Sequence, residues 1–272
     1  MPHYKTIRFK NSSIAYQVTG AGKTVVLVHG FGEDGSMWQS QVDFLKEHYR
    51  IIVPDMPGSG ASDFVTGANI NTYAAIIQEI LEVEAIVNPL LQLEGVAMIG
   101  HSMGGYITLA FAANYPQYLN SLGLFHSSAF ADDAEKKADR KKAIAFINNN
   151  GAQAFLKNII PKLFTKSFAD KHPEKINSLL YKTNNFTSEA LVQYYEAMIN
   201  RPDRRDTLRN FNKPVLFIIG EHDPAIPLQT SLQQVHLPSV VVVSILAQSA
   251  HMGMWEEEAR ANQLLLAFIS GS

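Results

Sequence analysis

The sequence predicts an α/β fold: a doubly wound, mostly parallel sheet of eight strands carrying a helical insertion after the sixth. Three observations predict it. Six short apolar runs are continuous rather than alternating, which is how strands covered on both faces read. Segments of helical spacing separate several of these runs, so strand and helix alternate along the chain. One long interval, 129–212, breaks the alternation with helix-like segments and no convincing strand.

The elements follow in order. Tyr4–Phe9 and Ile14–Val18 alternate polar and apolar positions around Lys10–Ser13, an opening antiparallel hairpin. The buried runs are Thr24–Val28, Arg50–Val53, Gly95–Ile99, Leu122–Phe125, Pro214–Ile219 and Val240–Leu246, each bounded by Gly, Pro or polar residues. Helical spacing appears at Thr72–Leu90, Met103–Asn114 and Glu256–Ile269. The chain thus divides into core 1–128, insertion 129–212 and core 213–272. Within the insertion, the charged run Asp132–Lys142 reads as a solvated helix face, and the aromatics as packing.

Composition narrows the function classes. A chain of 272 residues, 46% hydrophobic and 18% charged, can bury one large core. Its formal net charge of -2 provides no basic field for nucleic acid or anionic membranes. The N-terminal residues lack the apolar stretch of a secretory signal, and no run is long enough to span a bilayer, so the expected compartment is cytoplasmic. The absence of cysteine excludes disulfides, thiolate metal sites and a cysteine nucleophile. No metal-binding spacing or phosphate-binding glycine fingerprint is present, so no metal and no cofactor are expected, and the expected partner is a small-molecule substrate.

The chemistry centres on Gly100-His101-Ser102-Met103-Gly104, a G-x-S-x-G pattern between a strand and a helix. Such a turn strains the serine backbone, lifts its hydroxyl to the carboxyl edge of the sheet and needs glycines where other backbone comes close. A serine hydroxyl needs a base, and the base needs a carboxylate to fix its tautomer. Of nine histidines, His251 is best placed, in the loop between the last strand and the last helix. Asp223, just beyond the strand Pro214–Ile219, is the expected carboxylate, with Glu221, Asp132 and Asp133 as competitors. Two N–H donors should hold the oxyanion: Met103, which follows the serine, and Phe31, in the loop after the first buried strand. His29 in that loop reads as a brace. Phe31 and Phe130 are the expected substrate-binding residues.

His29-Gly30-Phe31-Gly32, Asp55-Met-Pro-Gly58-Ser-Gly60-Ala-Ser62, Gly100–Gly105, Gly220–Pro227 and His251 together resemble the successive motifs of the α/β-hydrolase superfamily across nearly the whole chain. The resemblance implies an eight-stranded α/β-hydrolase sheet, a nucleophile elbow at Ser102, a structural turn at Asp55–Ser62 and a helical cap in the 129–212 insertion. It also implies a serine hydrolase acting on a small or medium, largely apolar ester. Carbon–carbon hydrolases and enol-lactonases acting on acidic metabolites share these motifs, as do haloperoxidase-like enzymes. A ligand-binding receptor of the same fold with slow turnover is the reading from another class. Arg201, Arg204, Arg205 and Arg209 stand near the end of the insertion, where they read as a solvated cluster and alternatively as a carboxylate site.

Overall fold

A computed structural model describes residues 4–87 and 95–271. Its eight strands are β1 (Tyr4–Phe9), β2 (Ser12–Thr19), β3 (Thr24–Val28), β4 (Arg50–Pro54), β5 (Val96–His101), β6 (Leu119–Phe125), β7 (Val215–Gly220) and β8 (Val241–Leu246). They form one sheet in the order β1-β2-β4-β3-β5-β6-β7-β8, antiparallel at β1–β2 and β2–β4 and parallel elsewhere. The helix expected at Thr72–Leu90 is α2 (Ile70–Val87); its last three expected residues, 88–90, lie outside the described residues. Helix α1 (Gln39–Leu45) packs on the C-terminal helix, and α2 packs on α3 (Met103–Asn114).

The order of strands fixes where a site can form. From β3 the chain runs outward to β4, then returns past β3 to β5, so the crevice between β3 and β5 is the point where winding reverses. Val28 pairs with Gly100, which sends the loops after β3 and β5 out of the sheet side by side. Further along the same edge, His101 pairs with Phe125, Phe125 with Ile218, and Gly220 with Leu246. The loops after β6, β7 and β8 therefore open onto that edge too.

Strands β3, β4 and β5 are buried throughout, as continuous apolar runs require. Strand β8 departs from this expectation. Val241, Val242, Val243 and Ile245 are each about 40% exposed, because β8 is the sheet's outer strand and its flanking cover is thin. An edge strand with the same residue types as a buried one cannot be told from it by composition.

Between β6 and β7 every described regular element is helical: α4 (Ala134–Ile159), α5 (Lys166–Lys171), α6 (Pro173–Lys182), α7 (Ser188–Ile199) and α8 (Arg205–Asn210), with short 3-10 turns. Asp133 caps α4 through Lys136 N–H, and Gly151, at φ 84°, bends it. The run Asp132–Lys142 is not wholly a solvated face. Asp132 and the Arg140 side chain turn inward as an ion pair, which a linear charge pattern cannot show.

Candidate active site

Ser102 follows β5 with φ 51° and ψ -117°, a conformation that costs about 1–3 kcal/mol for a residue with a Cβ. Its neighbours explain how the turn closes. A Cβ on Gly100 would come within 2.2 Å of the Gly104 carbonyl, and one on Gly104 within 2.2 Å of the Val28 carbonyl, so neither position admits a side chain. Ser127 Oγ donates to the Ser102 carbonyl at 2.7 Å and ties the elbow to the end of β6. Met103 is the first residue of α3, and its N–H has no acceptor within the helix.

The loop after β3 is braced from both sides. His29, fully buried, donates from Nδ1 to the Gly30 carbonyl and accepts at Nε2 from Met56 N–H, both at 2.9 Å. Asp55 takes the N–H groups of Gly35 at 2.8 Å and Ala61 at 2.9 Å, so the 55–62 segment is a built turn. The Gly30 N–H is occupied by Glu33 Oε2 at 2.7 Å, leaving the Phe31 N–H as the next donor along the loop.

His251 Nδ1 donates to Asp223 Oδ2 at 2.8 Å, and Asp223 Oδ1 accepts from the N–H groups of Ala225 and Ile226 at 2.8 and 2.9 Å. Burial works against the charged carboxylate. The neighbouring His251, its hydrogen bond and the nearby His126 ring outweigh it and hold Asp223 well below the usual carboxylate range. Glu221 is exposed, Asp132 is paired with Arg140 and Arg201, and Asp133 caps α4. Ser102 and His251 line one cavity of about 310 Å³, together with Phe31, Tyr106, Tyr195 and Met198. Phe31 stacks on Tyr195 with ring centres 4.3 Å apart.

Phe130, expected in the pocket wall, does not line this cavity. Its ring lies 4.8 Å from the Arg205 guanidinium, and its carbonyl accepts from Arg201 at 2.9 Å, so the residue is held against these two arginines. The arginine group is otherwise engaged: Arg201 is buried on Asp132, Arg204 binds Asn71, and Arg205 and Arg209 pair with Asp203 and Asp206.

Three buried groups beside the site escape sequence reading. His101 presents Nδ1 to Glu33 at 3.0 Å and Nε2 to the His251 carbonyl at 2.9 Å. Both partners are acceptors, so both ring nitrogens carry hydrogen and the ring is an imidazolium. Burial opposes that charge, but Glu33 prevails and raises the pKa, while His101 in turn lowers that of Glu33. His126, at φ 49° after β6, lies with Nδ1 3.2 Å from Asp223 and accepts there from Gly220 N–H at 3.0 Å. Burial pushes its pKa down to about 4, so it is neutral at pH 7.

The donor atoms of His126, Asp223 and His251 lie within 4.8 Å of one another, a spacing compatible with an ion. They are already used: both Asp223 oxygens and His126 Nδ1 have protein partners.

His126 and His101 set opposite limbs of a stability profile. As pH falls from 6.5 towards 4 the unfolded chain takes up a proton that native His126 refuses, so stability declines by on the order of 3 kcal/mol across that window. His101, with its pKa raised, stabilises fully below 6.5 and loses that contribution as pH rises through its folded value. Melting temperatures measured against pH should peak near 6.5. His126→Gln should flatten the acid limb and His101→Gln the alkaline one.

A family model described as alpha/beta hydrolase fold matches residues 23–258. A 2-hydroxy-6-oxononadienedioate/2-hydroxy-6-oxononatrienedioate hydrolase of Paraburkholderia phymatum is 27% identical, covering 94% of this chain and 90% of its own. A pimeloyl-(acyl-carrier protein) methyl ester esterase of Vibrio cholerae is 25% identical, covering 93% and 97%. Among solved structures, a thermophilic esterase from Thermogutta terrifontis superposes with a TM-score of 0.90 at 26% identity over 99% of this chain and 98% of that one. An enol-lactonase from Burkholderia xenovorans, at 20% identity and a TM-score of 0.88 over 98% and 100%, shares the fold. Among the described residues no helix is long and apolar enough to cross a membrane.

Proposed function

The chain belongs to the α/β-hydrolase fold family, and from that premise we propose that it is a serine hydrolase cleaving a small or medium carboxylic ester through an acyl-enzyme on Ser102. The observation that carries this reading is the convergence of a strained Ser102 and an Asp223-bonded His251 on one cavity. His251, its Nδ1–H held by Asp223, takes the Ser102 proton at Nε2. The serine oxygen attacks the ester carbonyl, and the N–H groups of Phe31 and Met103 receive the oxyanion. His251 returns the proton to the leaving alcohol, and water, deprotonated by the same ring, releases the acid.

Residues 129–212 act as a cap over this chemistry. In support, α4 and α7 contribute Ala143, Ile159, Tyr195 and Met198 to the cavity wall, and the Leu163 carbonyl accepts the His251 N–H at 2.9 Å. The cavity lies near the lower end of the ~300–1,000 Å³ range of small-molecule sites, which favours short acyl groups. Hydrolysis of p-nitrophenyl esters from acetate to decanoate, with fluorophosphonate labelling, tests the reading. Labelling with kcat/KM greatest for short chains is expected. Labelling without turnover of any ester would favour a ligand-binding protein, and absence of labelling would remove Ser102 as nucleophile.

A further inference from the structure

Four formally charged side chains line the cavity: Glu33, Lys136, Asp139 and Arg140. Three have counter-ions. Glu33 faces His101 at 3.0 Å, Asp139 pairs with Lys142 at 2.8 Å, and Arg140 meets Asp132 at 2.5 Å. Lys136 has no carboxylate within ion-pair distance among the described residues. Its ammonium donates to the Ala225 carbonyl at 2.9 Å, which leaves two of its three N–H donors for a ligand.

The surroundings deepen this excess of positive charge. Asp132 is shared by Arg140 and Arg201, so those three side chains together remain cationic. Arg201 stacks 3.8 Å from the ring centre of Tyr106, whose side chain belongs to the same cavity wall. Burial opposes ionisation of the Tyr106 phenol, yet Arg201, Lys136 and Arg140 together bring its pKa below the ordinary tyrosine value. Much of the remaining wall is apolar, with Phe31, Ile159, Leu163 and Met198. A cation without a counter-ion against such a wall gains most from a ligand that supplies the missing charge.

We propose that Lys136, supported by Arg140 and Tyr106, binds a carboxylate carried by the substrate away from the scissile carbonyl, so that the preferred esters are anionic. The inference rests on the serine-hydrolase reading and narrows it to a substrate class. It shifts carboxylate recognition from the arginines of residues 201–209 to the first turns of α4. Lys136 stands three residues into the insertion helix, yet reaches the segment that follows Asp223.

Paired esters test it. Monomethyl glutarate against dimethyl glutarate places the carboxylate on the acyl side; 3-acetoxypropanoate against propyl acetate places it on the alcohol side. In at least one pair the wild type should favour the anion by about tenfold or more in kcat/KM, the scale of a charge-assisted hydrogen bond. Lys136→Gln can still donate to the Ala225 carbonyl but lacks the charge, and should erase that preference. Lys136→Arg should retain it and Lys136→Glu should reverse it. Free glutarate should slow fluorophosphonate labelling of the wild type more than that of Lys136→Glu. No anion preference in either pair, or a preference that Lys136→Gln leaves intact, overturns the proposal while Ser102 labelling still supports the hydrolase reading. Absence of labelling in the wild type overturns both.

Discussion

Ser102→Ala is expected to lower kcat by about six orders of magnitude and to abolish fluorophosphonate labelling, because every covalent step proposed above passes through this hydroxyl. Residual turnover above the uncatalysed rate should persist, since the Phe31 and Met103 N–H groups and the cavity remain to orient a water attack. The backbone supplies a second reading of the same position. Ser102 holds φ 51°, which alanine tolerates no better than serine and glycine adopts freely. Ser102→Gly should therefore be as inactive as Ser102→Ala yet more stable than it by about 1 kcal/mol, the lower end of the strain estimate. Calorimetry of the two variants measures this difference directly. Equal stabilities would mean that the surrounding contacts, and not the residue's own torsions, set the geometry.

Much of the architecture is legible in the sequence because parallel strands buried on both faces must be written in apolar residues and must end in loops at one edge. Ser102, Asp223 and His251 are legible for the same reason: each follows a strand, and a sheet of this order brings those ends together. What a linear pattern hides is pairing at a distance. Glu33 and His101 are 68 positions apart, and His126 and Asp223 are 97 apart. A histidine beside the serine looks alike whether it is a solvated ring or an imidazolium bonded on both nitrogens. The charged stretch Asp132–Lys142 likewise conceals which of its members turn inward. Phe130 misleads for a related reason, since proximity to a strand end says nothing about the cation that claims its ring. The uncovered face of β8 is invisible because valines that pack on a helix and valines at an edge are the same letters.

Asp223→Asn should cost about 10⁴-fold in kcat with the fold intact, for a reason that the partner set makes specific. One carboxylate oxygen is fixed as an acceptor by the N–H groups of Ala225 and Ile226. Asparagine must therefore place its amide oxygen there and turn its NH₂ towards His251. That group donates, so His251 Nδ1 becomes an acceptor and the ring proton moves to Nε2, the atom that has to receive the Ser102 proton. The base is present, correctly positioned, and in the wrong tautomer. His126, neutral and with Nδ1 3.2 Å from the same oxygen, turns a ring lone pair towards this position, so an amide hydrogen there meets no like charge and the near-isosteric variant should stay folded. Glu221→Gln, at an exposed position two residues earlier, should stay within about twofold of wild type, as surface substitutions away from a site do. Steady-state kinetics on a neutral p-nitrophenyl ester, with melting temperatures for both variants, separates the two carboxylates. A large loss at Glu221 with a small one at Asp223 would transfer the orienting role to Glu221. If Asp223→Asn lost stability along with activity, the carboxylate would be a structural anchor for the 223–226 turn as well as a partner for His251.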